Sequence, residues 1–340
     1  MQAITRKEFL AGVSSTIFLA GCNSFGEKGG FSFAVLNPDS MVGGAGLCVV
    51  MITPSGKTYL FDAANGDYKY EKKMNNGKDI IAPWLKAHNI DVIDGLIISH
   101  YHADHFGGFL WLADNFPIKK IWNNNFLPDM KELQVHDMAE YLCARRVLDK
   151  WAEKNPGCLI ENLKGGDDLG WNEPNVEFDV VWPPKEKYIE PIKDRKGYVV
   201  GDGIFHHLLN ANSNALRVTA FGKVFFIIGD IQPDYMKKVM RPQLEKEGKW
   251  GCDIAVLPAH GTKSEVAIED ISAMSPRPQA VVAALGNRPW MMDCGKTVVN
   301  LYSKAGYKAY STNIHGDVVA DKNADISLET PPKLYPHDPK

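Results

Sequence analysis

Four side chains of the types that bind metal ions lie within six residues in the stretch LIISHYHADHFGG, residues 96–108. They are His100, His102, Asp104 and His105, in the spacing His-x-His-x-Asp-His. Because alternate residues of a strand point to the same face, the first two histidines can share one environment, and the following turn lets the other two residues join them. Imidazole and carboxylate groups are the usual ligands of zinc and similar divalent ions. The segment therefore predicts a metal centre at the end of a strand.

The elements predicted around this segment bring further ligand-type residues to strand ends. The runs LCVVMIT and TYLFD flank the turn PSGK, which predicts a β-hairpin that ends at Asp62. Asp230 ends the strand-like run FFIIGD, and His260 ends DIAVLPAH. From residue 215 onwards, strands alternate with helices, which is typical of layered α/β architecture with mixed sheets.

Two long segments between these strands have a different character. Residues 131–154 carry apolar residues at helical spacing without glycine or proline, and they predict a long helix. Residues 155–210 are more irregular, and the charged stretch VWPPKEKYIEPIKDRKGY is typical of a solvated loop. Such a long loop is able to overhang the metal centre.

The His-x-His-x-Asp-His string at a strand end resembles the signature of the metallo-β-lactamase superfamily, over roughly residues 31–328. The resemblance implies an α/β fold, the αβ/βα four-layer sandwich with two mixed β-sheets and with metals at one edge. It also implies a ligand set of His100 and His102 on one metal, Asp104, His105 and His260 on the other, and Asp230 between them. Catalytic roles then fall on Asp104 and Asp230.

This chain departs from the superfamily pattern at one ligand position. A histidine usually serves the first metal just before the strand ALRV, where this chain has NANSN and offers Ser213 or Asn214. His206 and His207 lie nearby but precede the matching position by several residues. The resemblance therefore leaves the ligand set of the first metal incomplete.

Other residues match positions close to the metal ligands of the family. Asp62 matches an aspartate that hydrogen-bonds a histidine ligand and orients it, with a turn aspartate at a strand end as the alternative. Lys263 and Ser264 follow His260 and are able to contact an anionic substrate. A helix N-cap explains Ser264 equally well.

The segments ITPSGKTYLFDA, ISHYHADHFGG, NSNALRV and VLPAHGTKSE most resemble the C-terminal metallo-β-lactamase domain of bacterial competence DNA-uptake proteins of the ComEC type. That domain also lacks the first-metal histidine, whereas the channel helices of those proteins have no counterpart here. Its Gly-His-Pro is replaced by LGNRPWMMDCG, which leaves that role vacant or filled by Asn287 or Arg288. His315 aligns loosely with the end of the pattern, and a plain turn residue is the simpler interpretation.

Two divalent ions bridged by Asp230 would lower the pKa of a shared water, supply hydroxide and stabilise the attacking and leaving oxygens of a displacement. The nitrogen and carboxylate donors favour zinc, with manganese or iron as alternatives. A carboxylate-rich metal pair and the competence-type resemblance both favour phosphodiester cleavage. We therefore expect a phosphodiesterase or nuclease that acts on an anionic small molecule or on nucleic acid.

Two other functions are open on the sequence. Amide or ester hydrolysis, of β-lactams or lactones, occurs in the same superfamily, but the best-known β-lactamases have a third histidine and a cysteine in place of Asp230. A surface-anchored binding module without catalysis is suggested by the missing histidine. Against it, five or six ligand-type residues are costly to hold together unless a metal compensates their charge and desolvation.

The first 22 residues predict export and a lipid anchor. A basic start is followed by an apolar stretch too short for an ordinary transmembrane helix, and Leu19-Ala20-Gly21-Cys22 resembles the bacterial lipobox, in which the cysteine is lipidated. The segment TRKEFL also resembles a twin-arginine motif, with Lys7 in the second arginine position. We expect an export signal over residues 1–21, a tether over 22–30, one folded domain over 31–328 and a tail over 329–340, in an extracytoplasmic protein anchored to a bacterial membrane.

Charge and cysteine content add little about partners. A net charge of −3 and a pI near 6.4 give no global electrostatic case for nucleic-acid binding, and no protein partner is predicted.

Beyond Cys22 the five cysteines form no CxxC pair, which argues against zinc-ribbon chemistry, and at most two disulfides can form. Cys48 and Cys252 lie in apolar runs and are expected to be buried small hydrophobic residues.

Overall fold

The computed structural model describes residues 29–38, 45–66, 75–127, 135–191 and 204–331. The predicted export signal, Cys22 and the last nine residues of the predicted tail lie outside these ranges. Within them, no helix is both long and apolar enough to cross a membrane.

Fourteen strands in the described ranges form two mixed sheets. The strands are β1 (Ser32–Val35), β2 (Val49–Ile52), β3 (Thr58–Phe61), β4 (Gly95–Ile98), β5 (Ile121–Asn123), β6 (Leu159–Glu161), β7 (Val176–Trp182), β8 (Ala215–Ala220), β9 (Lys223–Ile227), β10 (Ile254–Val256), β11 (Ala280–Ala283), β12 (Lys308–Ser311), β13 (Asp317–Asp321) and β14 (Ile326–Glu329). The first sheet has the order β14-β13-β1-β2-β3-β4-β5-β6, and the second has the order β12-β11-β10-β9-β8-β7.

Helices cover the outer faces of both sheets. They are α1 (Ala82–Ala87), α2 (Ala103–Phe106), α3 (Phe109–Asn115), α4 (Val135–Lys154), α5 (Ile204–Ala211), α6 (Pro233–Tyr235), α7 (Arg241–Lys246), α8 (Ser264–Ser272), α9 (Pro289–Lys304) and α10 (Thr312–His315). A π-helical turn, Gly77–Ile81, leads into α1, a second one, Met236–Met240, joins α6 to α7, and the turn Pro258–Gly261 precedes α8.

Three hydrophobic clusters hold the layers together. The central cluster lies between the sheets and includes Val49 and Met51 from β2 and Ile254 and Val256 from β10. Residues on the opposite faces of the same strands, such as Val50 of β2, pack instead against the helices. This alternation explains why the strands read as continuous apolar runs, since both faces of each sheet are covered. The result is the predicted four-layer αβ/βα sandwich.

The position of the strand ends matters most for the site. β3, β4, β5 and β6 run parallel, and so do β9, β10, β11 and β12, so that the carboxyl ends of each set meet at one edge of their sheet. Ligands of α/β folds characteristically bind beyond such ends. Asp62 follows β3, His100 follows β4, Asp230 follows β9 and His260 follows β10.

The sequence predictions for the early hairpin, the strand before His100, the long helix and the later strand-helix alternation are confirmed. One expectation needs correction, because the region 155–210, predicted to be irregular, contains β6, β7 and most of α5. The strand β14 ends at Glu329, so the predicted boundary between domain and tail falls between its last two residues. The described cysteines are all free, and Cys48 and Cys252 are buried as expected.

Candidate metal centre

The His-x-His-x-Asp-His segment forms a sharp turn between β4 and α2. His102 has an extended backbone, with φ −83° and ψ 141°, and α2 begins at the next residue. The carbonyls of this turn are anchored by the neighbouring loops, because the backbone N–H of Leu47 donates to the Asp104 carbonyl at 3.0 Å and that of Ala63 donates to the His105 carbonyl at 2.7 Å. The change from strand to helix is what brings all four side chains to one place.

Two donor groups form at the edge of the sandwich. The first contains His100, His102 and Asp230, and its ligand atoms all lie within 4.8 Å of one another. Nε2 of His100 lies 2.9 Å from Nδ1 of His102. The second donor group contains Asp104, His105 and His260, again within 4.8 Å.

Asp230 connects the two donor groups. Its Oδ2 lies 3.3 Å from Nε2 of His105, and its Oδ1 lies 3.3 Å from Nε2 of His260. Nε2 of His260 also lies 3.3 Å from Oδ2 of Asp104. One carboxylate from the second sheet therefore contacts the second donor group while belonging to the first.

Asp62 orients a histidine in each donor group. Its Oδ2 accepts a hydrogen bond from Nδ1 of His105 at 2.7 Å and another from the Ser99 hydroxyl at 2.7 Å. Because that hydroxyl donates its only proton to Asp62, it must accept a hydrogen bond from the Nδ1–H group of His100, which lies 3.0 Å away. Both histidines then carry a proton on Nδ1 and turn Nε2 towards the centre, which is the arrangement that metal ligation needs.

The position of Asp230 depends on Ser213 and on a glycine. The backbone N–H of Asp230 donates to the Ser213 hydroxyl at 3.0 Å, and this hydroxyl donates to the Asn210 carbonyl at 2.8 Å. Gly229 has φ +74°, and a Cβ added there would lie 2.4 Å from the Asn214 carbonyl oxygen. Only glycine fits this left-handed, tightly packed position directly before the carboxylate.

His260 lies in a strained turn. Both Ala259 and His260 have left-handed backbones, with φ 46° and 57°, although neither is glycine. Such conformations cost of order 1–3 kcal/mol each and concentrate at functional sites. The strain directs the His260 ring back towards Asp104 and Asp230 instead of along the following helix.

Buried charges of both signs shift one another's titration. Burial lowers the pKa of His105, but the carboxylates of Asp230, Asp62 and Asp104 outweigh it and raise this pKa well above its usual value. Burial likewise lowers the pKa of His260, and Asp230 and Asp104 raise it to about 9. In turn, burial raises the pKa of Asp230, but His260 and His105 hold it well below its usual range.

These shifts predict how the metal-free protein responds to pH. The pKa of His260 is about 9 in the folded protein against 6.5 for an ordinary histidine, so its contribution to stability is complete below about pH 6.5 and is lost as the pH rises through 9. We expect the unfolding free energy of chelator-treated protein to fall between pH 6.5 and 9.5, and to fall less in His260→Ala. Zinc binding at pH 7 should release protons, which calorimetry in two buffers of different ionisation enthalpy measures. A flat stability profile and binding without proton release would contradict this.

The donor atoms fit a pair of divalent cations. Nε2 of His105 lies 3.2 Å from Nε2 of His260, so two pairs of ring nitrogens face each other at close range across the two donor groups. Two facing lone pairs would repel at these distances, so each pair of nitrogens needs a proton or a metal ion between them. Oδ1 of Asp230 is buried without a hydrogen bond, as expected of an oxygen meant for a metal. Imidazole and carboxylate donors suit zinc, manganese and iron alike.

The suggested replacements for the missing histidine have other partners. The Ser213 hydroxyl is used by Asp230 and Asn210, as described above. The Asn214 side-chain amide donates to the carbonyls of Leu163 and Trp182 at 3.0 Å each, which ties the loop before β8 to β7. His206 and His207 belong to α5, but their side chains lie outside the described part of the structure.

Lys263 and Ser264, predicted to lie near the metal ligands, have hydrogen bonds to neighbouring residues. The ammonium of Lys263 donates to the side-chain carbonyl of Gln232, whose amide donates to the Asp230 carbonyl at 3.3 Å. Ser264 is the first residue of α8 and its hydroxyl donates to the Gly261 carbonyl. The N-cap is Lys263, so of the two interpretations given for Ser264 the N-cap is wrong.

Beyond β11 and β12, the candidates have structural contacts. Asn287 is buried and its side-chain oxygen faces the Asn37 amide at 3.5 Å, and Arg288 directly precedes α9. His315 ends α10, and its Nδ1 lies 3.1 Å from the Ser311 backbone nitrogen, as expected of a turn residue. Sequence reasoning missed Ser99 and Gln232, whose only signal was their position beside a predicted ligand.

Comparison with known families decides the classification. A family model described as the metallo-beta-lactamase superfamily matches residues 42–231, which include the His-x-His-x-Asp-His segment and Asp230. The chain belongs to the metallo-β-lactamase superfamily. His260 lies beyond the matched residues, and its place in this superfamily protein rests on the geometry given above.

Individual relatives are distant. ComE operon protein 3 of Bacillus subtilis (strain 168) is 22% identical over 215 residues, which are 62% of this chain and 23% of that protein, so the chain spans about a quarter of its relative. A metallo hydrolase, Igni18, from Ignicoccus hospitalis is 13% identical with a TM-score of 0.44, over 85% of this chain and 98% of that chain. Unliganded yeast PDE1 is 10% identical with a TM-score of 0.43, over 83% and 96%.

Proposed function

We propose that this metallo-β-lactamase-superfamily protein hydrolyses phosphodiester bonds at a centre of two divalent metal ions, most simply zinc, with manganese or iron as alternatives. The observation that carries the proposal is the position of Asp230. Its two carboxylate oxygens each lie 3.3 Å from a histidine nitrogen of the second donor group, while the residue completes the first. A shared carboxylate of this kind suits two ions held close together.

The side chains of the centre have distinct tasks in such a reaction. Bound ions would lower the pKa of water towards neutrality and stabilise the charge that develops on the attacking and leaving oxygens. His100, His102, His105 and His260 are all nearly buried and would hold the ions in place. Asp104 is 29% exposed, against 8% for Asp230, so it lies at the mouth where water and substrate arrive and where a carboxylate can hold a proton in transit.

Substrate charge is the second part of the proposal. Lys263 is exposed and lies one hydrogen bond from Gln232, which contacts the Asp230 backbone. Its ammonium can therefore meet a phosphodiester oxygen close to the ions, which favours an anionic small molecule or nucleic acid as the substrate. The resemblance of the flanking segments to the competence-protein domain supports the same substrate class.

A thiol-dependent or β-lactam-type site has less support. Residue 230 is an aspartate, and among the described residues no cysteine belongs to either donor group. Cys48 and Cys252 are buried in the core, and burial raises the pKa of both thiols. Hydrolysis without a protein nucleophile is the mechanism that these residues support best.

The first experiment is metal analysis of purified protein together with turnover of bis(p-nitrophenyl) phosphate, a short DNA and a chromogenic cephalosporin. Two ions per chain, with turnover of the phosphodiesters alone, is the expected result. Turnover of the cephalosporin alone would replace the proposal by amide hydrolysis. Less than one ion per chain, with no turnover after zinc, manganese or iron is added, would favour a binding module.

We also propose that the protein is lipid-anchored at Cys22 on the extracytoplasmic side of a bacterial membrane. The support is the sequence of residues 1–22, with its basic start, short apolar stretch and lipobox-like end. Wild type should incorporate labelled palmitate and fractionate with membranes, whereas Cys22→Ala should do neither. Equal membrane association of the two proteins would contradict the anchor but leave the hydrolase proposal intact.

A further inference from the structure

The long helix α4 lies behind the metal-binding turn. The residues that separate the metal ligands of this turn, Tyr101 and Ala103, contact α4. The Tyr101 ring packs edge-on against Tyr141 of α4, with ring centroids 5.0 Å apart and planes at 84°. The backbone N–H of Ala103 donates to Oε2 of Glu140, also in α4, at 2.9 Å.

Glu140 is an unusual residue at this position. It is 5% exposed, and burying a carboxylate is costly unless it is paired or hydrogen-bonded. Ala103 is the first residue of α2, where backbone N–H groups have no partner within the helix, and the N-cap His102 provides no side-chain hydrogen bond. Glu140 supplies that partner from 37 residues further along the chain.

The hydrogen bond fixes a peptide plane between ligands of different donor groups. The Ala103 N–H belongs to the peptide that joins His102, of the first donor group, to the residue before Asp104, of the second. The carbonyls of Asp104 and His105 are already held from the other side by the N–H groups of Leu47 and Ala63. Contacts on both sides of the turn leave its ligands little freedom to rotate.

The helix that carries Glu140 is itself firmly placed. Ala144, Leu148 and Trp151 of α4 are buried against the outer face of the first sheet. A side chain on such an element can hold a loop to within the small tolerance that metal ligation requires.

We propose that Glu140 is a positioning residue, which sets the geometry of the metal-binding turn through the Ala103 N–H and thereby the affinity for metal. The inference rests on the metal centre of the proposed function and not on its substrate. It predicts a weaker metal complex on loss of the hydrogen bond even where the metal-free fold survives.

The test compares zinc dissociation constants of the full chain, measured by competition with a chromophoric chelator, and the absorption spectrum of the cobalt-loaded protein. Glu140→Ala should bind zinc about tenfold or more weakly, the range seen when partners of metal ligands are removed. Glu140→Gln keeps an oxygen that can accept the hydrogen bond and should remain within about threefold of wild type. Glu153→Gln, an exposed change on the same helix, is the matched control.

A second variant removes the donor instead of the acceptor. Ala103→Pro lacks the N–H, and proline is tolerated at the first position of a helix that follows an extended residue. It should weaken zinc binding as Glu140→Ala does, and the two changes together should cost little more than either alone. The melting temperature of metal-free protein reports whether each variant folds.

Several results would overturn the proposal. One is a folded Glu140→Ala that binds zinc within twofold of wild type. Another is a loss of zinc affinity in Glu140→Gln equal to that in Glu140→Ala, which would assign the effect to charge. If Glu140→Ala does not fold, wild-type zinc affinity in Ala103→Pro decides against the proposal. Wild type that binds no zinc, manganese or iron would instead refute the proposed function.

Discussion

Asp230→Ala is expected to lose both bound ions and more than about a hundredfold in phosphodiesterase activity. Removing a residue that only supports a metal ligand weakens metal affinity or activity by up to about a hundredfold. Asp230 would itself be a ligand of both ions, so its removal should have a larger effect. Its carboxylate also lies 3.3 Å from nitrogens of His105 and His260, so its removal leaves these two cationic rings without their main counter-ion. Metal content and turnover measured on the same preparation test this.

The turn itself should survive that substitution, because Asp230 is held by its backbone N–H on Ser213. Circular dichroism of metal-free protein should therefore match wild type. Asp234→Ala is the control, since Asp234 is an exposed carboxylate outside both donor groups four residues away. Two ions still bound to a folded Asp230→Ala protein would refute the bridging role.

Asp62→Asn is expected to weaken metal binding by about 10- to 100-fold, with the second donor group affected most. Asparagine keeps an oxygen for the Ser99 N–H, which lies 2.7 Å from Oδ1, but its amide would face the Nδ1 proton of His105. The ring must then move its proton to Nε2, where it blocks the metal. Long-range nitrogen NMR of the zinc-loaded protein, in which a ligating ring is neutral, shows whether Nδ1 of His105 carries the proton.

Comparison variants separate orientation from stability. Asp62→Ala leaves three donors unpaired around a fully buried position and should cost about 3–5 kcal/mol of unfolding free energy. Ser99→Ala removes the hydroxyl that links Asp62 to His100, and with it one hydrogen bond to Asp62, but it keeps the hydrogen bond between Asp62 and His105. It should therefore weaken the first donor group while leaving the His105 tautomer unchanged. A wild-type tautomer and wild-type zinc affinity in Asp62→Asn would show that Asp62 is a plain turn residue.

The sequence predicted the donors because their types recur at strand ends. His100, His102, Asp104 and His105 are close in the chain, and Asp62, Asp230 and His260 each follow an apolar run. Parallel strands bring such positions to one edge whatever the loops between them do. The fold class followed from the same strand-helix alternation and from the family resemblance.

The sequence does not reveal the contacts that hold the metal ligands in place. Glu140 reads as one more charged residue of a long helix, and nothing local marks it as the buried partner of Ala103. Ser213 stands where the family has a ligand, yet its hydroxyl is turned to the Asp230 backbone, a direction that depends on the left-handed Gly229. The short strands β13 and β14 were not predicted because Gly316 and Asp317 interrupt the pattern at the start of the first and Asp325 interrupts it before the second. Pairing of β13 with β1, and of β14 with β13, overrides their weak local preference.

The pairing of β13 with β1 sets the order in which this molecule can be completed. Residue 32 lies opposite residue 321, so the first sheet cannot close until residue 321 has left the ribosome. Contacts so distant in sequence slow folding, and the donors, drawn from positions 100 to 260, meet only after both sheets have docked. Cobalt colour should accordingly appear in a late kinetic phase of refolding, as an optical record of the moment at which the two sheets dock.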